Sequence, residues 1–235
     1  MIALADEELL SVWASARTVP AVMRPAALLE LLGAEADAAR LPIGTRDRRL
    51  LALRETSRGC AFEGVAACPA CTALVELSFD APPAAELRDV SSIAIGDVQF
   101  VFRLPNTNDL AAIGAANSID DARTRLAQRC VVRATRDGLE VAALLDEETV
   151  AALSAAMSDA DPDGDIALAV VCPDCAHEWD VLFDPAAYVW HELESAAVAA
   201  VREVDALASA YGWSESDILS IPASRRRMYL GMVLG

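Results

Sequence analysis

Two short segments of the chain repeat one pattern, a cysteine pair with proline after the first cysteine, set between two apolar stretches. Cys68 and Cys71 lie in C-P-A-C, and Cys172 and Cys175 lie in C-P-D-C. The flanking residues read as strands, and each segment ends at an aspartate with proline soon after. The sequence therefore predicts two β-hairpins that form an internal repeat, each with two cysteines in its turn.

The four cysteines predict a structural zinc site. A tight turn with a cysteine at each end points two sulfurs at one place, and two such turns supply the four thiolates that tetrahedral Zn²⁺ prefers. Closing the loop from Cys71 to Cys172 costs about 4 kcal/mol, whereas structural zinc binding contributes roughly 10 to 16 kcal/mol. We therefore expect Cys68, Cys71, Cys172 and Cys175 to hold one Zn²⁺ ion.

A closed site of four sulfurs leaves no position for a substrate, so the pattern indicates a protein that is not an enzyme. The alternative from the same residues is a C-x-x-C thiol oxidoreductase. Redox motifs of the thioredoxin type sit at a helix N-terminus, which lowers a thiol pKa, whereas these motifs sit between strands. The sequence contains no glycine-rich phosphate loop and no G-x-S-x-G, and no catalytic residue or small-molecule substrate is predicted.

The net charge of −17 disfavours binding to nucleic acid or to an anionic membrane, since both require neutralising positive charge. The first residues have no basic region before an apolar run, and no stretch is long and apolar enough to span a bilayer. We expect a cytoplasmic protein whose thiols stay reduced and whose partners are proteins. A zinc-ribbon regulatory or nucleic-acid-associated protein stays open as an alternative.

The predicted fold class is α+β with three parts. Residues 1–58 form a helical N-terminal region, residues 59–184 a zinc-ribbon-like β unit with an α/β insertion at about 84–164, and residues 185–235 a helical C-terminal arm. From Trp190 to Tyr211 apolar residues recur in steps of three and four, which is typical of a helix that packs on another helix. The predicted buried stripe consists of Trp190, Leu193, Ala197, Val201, Val204, Ala208 and Tyr211. That second helix belongs either to this chain or to a partner.

The end of the chain offers a candidate partner surface. Arg225, Arg226 and Arg227 form its only run of three basic residues. One interpretation is pairing within this acidic chain, and the other is a docking patch for a partner's carboxylates. Trp213 follows a predicted helix end, where an aromatic side chain can anchor a contact.

Three further stretches carry a family resemblance. They are F-R-L-P-N-T-N-D-L at residues 102–110, F-D-P-A-A-Y-V-W-H-E-L at 183–193 and Y-G-W-S-E-S-D-I-L-S-I-P-A-S-R-R-R-M-Y-L at 211–230. With the two hairpins, they resemble the phage baseplate proteins related to the T-even phage baseplate hub assembly protein, which are also found in bacterial contractile injection systems.

The resemblance implies a non-enzymatic role in the assembly or structure of a contractile tail. The implied partners are other baseplate, hub or tail proteins, and the implied location is the cytoplasm, with incorporation into a phage tail or injection particle. The resemblance supplies no catalytic residues. Its C-terminal motif contains Trp213, Arg225, Arg226 and Arg227.

Overall fold

The computed structural model describes residues 4–81, 83 and 90–234. Over these residues the fold is α+β, as the sequence predicts. The helices are α1 (Asp6–Arg17), α2 (Arg24–Leu31), α3 (Ile43–Arg58), α4 (Thr107–Ile113), α5 (Ile119–Cys130), α6 (Glu147–Ala160), α7 (Pro185–Tyr211), α8 (Glu215–Ser220) and α9 (Ala223–Leu234). The strands are β1 (Ala61–Ala67), β2 (Leu74–Asp80), β3 (Val90–Ile95), β4 (Val98–Arg103), β5 (Val131–Arg136), β6 (Leu139–Glu140), β7 (Ile166–Val171) and β8 (Glu178–Phe183).

The strands form three antiparallel sheets. β1 pairs with β2 and β7 with β8, so both predicted hairpins are present as separate two-stranded sheets. The third sheet has the order β3-β4-β5-β6 and belongs to the insertion. Within the α/β insertion, the apolar residues at 93–95 and 98–104 predict two strands. These correspond to β3 and β4, whereas β5 and β6 were missed. The expected start of the insertion near residue 84 lies outside the described residues.

The ends of the longest helix follow from its local sequence. The Asp184 carboxylate accepts a hydrogen bond from the backbone N–H of Ala187 at 2.9 Å, and Pro185 occupies the first turn of α7. Both are favoured at a helix start, where N–H groups have no intrahelical partner. Gly212 ends α7 with a φ of 69°, a conformation in which only glycine avoids a steric penalty.

The main helical core joins both ends of the chain. Residues of α1, α2 and α3 enclose Ala186, Val189 and Leu193 from the first half of α7. The predicted apolar stripe of α7 thus packs, in this half, on helices of the same chain. The face is rotated from the predicted one, because Ala200 is buried and Val201 is exposed. The three-part division of the chain stays a prediction.

The insertion has its own core between the four-stranded sheet and two helices. Phe100 and Phe102 of β4 pack with residues of α5 and α6, among them Leu153. Polar contacts connect this unit to the start of α3. The N–H of Gly44 donates to Asp161 at 2.8 Å, and Arg46 donates to the Thr107 hydroxyl at 3.0 Å. In the described part of the chain, no helix has the length and apolar character needed to cross a membrane.

The two hairpins face each other and are joined at the end away from the cysteines by aromatic rings. Phe62, Phe79 and Phe183 have ring centroids 5.0 to 5.5 Å apart, and Tyr188 of α7 lies 5.2 Å from Phe62. Edge-to-face aromatic contacts of this kind add stability beyond the area they bury. This cluster fixes the hairpins at one end, so their turns meet at the other.

Candidate metal centre

The two turns bring four cysteine sulfurs together, although about a hundred residues of chain separate the two pairs. The ligand atoms of Cys68, Cys71, Cys172 and Cys175 all lie within 4.8 Å of one another. The sulfurs of Cys68 and Cys175 are 3.7 Å apart, and those of Cys71 and Cys172 are 3.6 Å apart. All four are free thiols, and these separations far exceed the roughly 2.05 Å of a disulfide.

The spacing fits a single zinc ion. A regular tetrahedron with Zn–S bonds of about 2.3 Å has sulfur–sulfur edges of about 3.8 Å. The two measured separations differ from that edge by only a few tenths of an ångström. The donor set is four sulfurs, which is a common ligand set of structural zinc sites. The residues present therefore fit the ion that the sequence predicts.

Both turns have the same backbone geometry. In each, the N–H of the first cysteine donates to the carbonyl five residues later, and its carbonyl accepts from the N–H four residues later, all at 2.9 Å. The residue after each second cysteine is left-handed, with φ of 64° at Thr72 and 58° at Ala176. Two non-glycine residues thus carry the same strained conformation at equivalent positions. The hairpins are therefore a structural repeat as well as a sequence repeat.

The first cysteine of each turn is buried and the second is exposed. Cys68 and Cys172 are each 1% exposed and lie on the apolar contact between Val75 and Val170. The centre thus sits at the tip of the paired hairpins and closes the small core between them. A bond from one ion to both turns would hold the tip together as the aromatic cluster holds the base.

The thiols influence one another's ionisation. Burial disfavours the Cys68 thiolate, but the backbone N–H groups of Cys71 and Ala70 donate to it and lower its pKa to about 7. The N–H of Ala73 favours the Cys71 thiolate, yet its contact with the Cys175 thiol and burial raise the Cys71 pKa to about 12. The Cys68 thiolate therefore forms more readily than that of an ordinary cysteine, whereas the Cys71 thiolate requires a positive charge close to it. A divalent cation supplies that charge.

Among the described residues, no further potential metal ligand joins the four sulfurs. His177 is exposed and stacks on Trp179 at a centroid distance of 6.1 Å. Across residues 4–81, 83 and 90–234, the four cysteines are the only group of three or more potential metal ligands. This arrangement suits a structural ion better than a catalytic one, because a catalytic zinc keeps a coordination position for water or substrate.

Sequence reasoning missed the contacts that brace the base of the first hairpin. The Tyr188 hydroxyl accepts from the N–H of Glu63 at 3.3 Å and donates to the Glu63 carbonyl at 3.2 Å. The Arg54 guanidinium lies 4.1 Å from the Phe62 ring centroid and bonds to Glu192. No local pattern marks these contacts of Arg54, since Phe62 belongs to β1 and Glu192 to α7. Tyr188 lies near the start of α7, directly after the second hairpin. A tyrosine at this place is a signal in the sequence for a contact with the hairpins.

The predicted partner residues lie apart from the metal centre. Trp213 is half-buried between Tyr211 and Tyr229, with ring centroids 4.7 and 5.1 Å away. This aromatic group ties the α7–α8 turn to α9.

The three arginines differ from one another. Arg225 and Arg227 are exposed, but Arg226 is 4% exposed and forms ion pairs with Asp6 of α1 and Glu203 of α7. The expectation of a partner contact is corrected for Arg226, because its guanidinium is committed to carboxylates of its own chain. Arg225 and Arg227 stay candidates for a partner surface.

Comparison with known proteins places the chain in a family. The family model described as T4 bacteriophage base plate protein matches residues 4–188. That segment contains the N-terminal helices, the insertion, both hairpins and all four cysteines, and it ends before the motif at residues 211–230. No curated protein and no solved structure matches the chain. Because the match spans well over half of its length, the chain belongs to the T4 bacteriophage base plate protein family.

Proposed function

We propose that the protein is a non-enzymatic component of the baseplate of a contractile phage tail or of a phage-derived injection system, acting in its structure or its assembly. Family membership over residues 4–188 is the observation that carries the proposal. The closed arrangement of the four cysteines supports it, because the chemistry suggested by the sequence is structural rather than catalytic.

Cys68, Cys71, Cys172 and Cys175 are proposed to hold one Zn²⁺ ion. The sulfur separations and the lack of a fifth ligand among the described residues support this assignment. The ion would cross-link the two turns. It would also make the hairpin pair rigid enough to present its surface to a partner, since an isolated two-stranded hairpin is only marginally stable.

A second part of the proposal concerns the C-terminal helices as a docking surface for other baseplate, hub or tail proteins. On α9, Arg225 and Arg227 are exposed beside Met228 and Met232, which are 64% and 70% exposed. Met228 and Met232 are four residues apart and so lie on one helix face. The Trp213 ring contacts α9 through the Tyr229 ring. Such a face combines flexible apolar contact with donors for carboxylates.

The chain is proposed to be made in the cytoplasm and then to enter the tail or injection particle, or to assist its assembly. The test is deletion of the gene followed by mass spectrometry of particles from the parent strain. We expect the deletion strain to lack intact baseplates. Detection of the chain in parent particles identifies a structural component, and its absence identifies an assembly factor. Normal particles from the deletion strain would contradict the proposal.

A further inference from the structure

Within the described part of the chain, the first hairpin has a strand edge with no strand partner. β2 pairs only with β1, and no other described strand lies on its far side. The Tyr188 hydroxyl bonds the N–H and carbonyl of Glu63, so these groups point away from β2. In an antiparallel pair, two residues that lie directly opposite either bond to each other or both turn their N–H and C=O groups outward. Ser78 lies opposite Glu63. The backbone groups of Ser78, and of Glu76 two residues before it, therefore point outward from the free edge.

The charge around this edge has a single sign. Residues 61–80 contain three carboxylates and no arginine or lysine, although the whole chain has 19 basic residues. The three are Glu63, Glu76 and Asp80, all exposed, and none forms an ion pair within the described part of the chain. Exposed carboxylates without an ion-pair partner attract a basic partner.

The same face carries exposed apolar side chains. Val65 is 62% exposed and Leu74 is 75% exposed, and the register places Val65 opposite Glu76. An open groove of 630 Å³ lies along the middle of the hairpin, lined by residues 63–65 and 76–78. The surface thus combines an open strand edge, apolar contacts and negative charge.

We propose that the free edge of β2 binds an extended segment of another protein in which arginine or lysine alternates with β-branched residues. The segment would add as a third strand, with backbone hydrogen bonds to Glu76 and Ser78 and basic side chains beside Glu76 and Asp80 of β2. A second copy of this chain is disfavoured as the occupant, because pairing of two β2 edges would bring carboxylates together. That the natural donor is a baseplate protein rests on the proposed function.

The test uses the purified full chain and synthetic peptides of about nine residues, enough to span a strand of this length. One peptide alternates arginine and valine, and a second alternates glutamate and valine. A third keeps all the arginines of the first, but every second valine is replaced by proline. Binding is followed by fluorescence anisotropy. We expect the arginine–valine peptide to bind at least about tenfold more tightly than the other two, because only it offers both charge and a strand ladder.

Two substitutions locate the site. Ser78→Pro removes the outward N–H without breaking the β1–β2 ladder and should weaken binding about tenfold, whereas Ser78→Ala should not. Glu76→Arg should weaken binding by about threefold or more, and the exposed Asp205→Arg on α7 should leave it unchanged. Melting temperature and metal content show whether each variant is folded. Glu76→Arg alone decides if Ser78→Pro does not fold. Hydrogen exchange should show peptide-dependent protection at Glu76 and Ser78.

Other outcomes overturn the proposal. If the proline peptide binds as tightly as the arginine–valine peptide, charge alone attracts the segment. If the peptide protects amides of α9 from hydrogen exchange instead, the binding site is not the β2 edge. A dimer of the free chain that Ser78→Pro dissociates makes a second copy the occupant. The peptide assay needs no particle, so its failure leaves the baseplate role untouched, and a failed particle test leaves the strand site untouched.

Discussion

Arg226 should stabilise the C-terminal helices rather than contact a partner. Its Nε donates to Glu203 at 2.6 Å, a terminal nitrogen bonds Asp6, and another donates to the Ile221 carbonyl at 3.3 Å. These contacts link α9 to both α7 and α1. Replacing Arg226 with methionine keeps most of the side-chain volume and removes the charge, so the variant tests the ion pairs rather than the packing.

The size of the effect follows from the burial of the three groups. Removing one member of a fully buried ion pair costs about 3 to 5 kcal/mol. The side chains of Asp6 and Glu203 are 25% and 30% exposed, so water can partly solvate them after the change. We therefore expect Arg226→Met to lower the free energy of unfolding by about 2 to 3 kcal/mol. For a chain of this size, that corresponds to a fall in melting temperature of about 5 to 10 °C.

The matched controls are Arg225→Met and Arg227→Met. Both side chains are exposed, and the one hydrogen bond described for them runs from Arg227 to the Ala223 carbonyl at 3.4 Å. Each should change the free energy of unfolding by less than about 0.5 kcal/mol. Scanning calorimetry and urea unfolding measure all three variants. Equal stability of Arg226→Met and the two controls would refute the reasoning from burial and ion pairing.

The same contrast separates folding from docking. A double variant, Arg225→Glu with Arg227→Glu, leaves Arg226 in place and should keep the melting temperature near that of the parent. If the C-terminal surface binds a tail protein, this variant should still fail to enter or assemble particles. Normal assembly with the double variant would show that the exposed arginines have no docking role.

Three further predictions concern the hairpin turns, the contact between α3 and the insertion, and the redox activity of the thiols. Thr72→Gly should raise the free energy of unfolding by about 0.5 to 1 kcal/mol with unchanged metal content, because it relieves a left-handed φ on a β-branched residue; a lower stability would contradict this. Gly44→Ala should destabilise by about 2 kcal/mol or more, since its Cβ would lie too close to the Asp161 carboxylate, whereas Gly231→Ala meets nothing within 4 Å and should be neutral or stabilising; equal melting temperatures would contradict this. An insulin-reduction assay should find no turnover by the chain, and activity that disappears in Cys68→Ser would favour the oxidoreductase alternative.

The hairpins could be predicted because their signals are local. Alternating apolar residues specify strands, and C-P-x-C specifies a turn with two donors, so Cys68 and Cys71 could be assigned without knowledge of distant contacts. The meeting of the two turns was also predictable, since metal chemistry requires four ligands and the chain offers two matching pairs.

The missed features depend on contacts that are distant in sequence. Val131–Arg136 follows α5 directly with no turn residue between them, and its two arginines weaken the strand pattern. Pairing with β4 makes it a strand. The face of α7 was misjudged because alanine occurs all around that helix, so its spacing permits several buried faces. The partners of Arg226 lie on α1 and α7, and nothing near Arg226 indicates them.

The metal content of the reduced, purified chain tests the central structural claim most directly. Elemental mass spectrometry should find close to one zinc per chain, because the four neighbouring sulfurs match the ligand number of a structural zinc site. Cys68→Ser and Cys172→Ser should lose both the zinc and stability, whereas Cys60→Ser, which removes an exposed cysteine outside the cluster, should retain the zinc. A reduced parent chain without bound metal, or Cys68→Ser with undiminished zinc, would contradict the account.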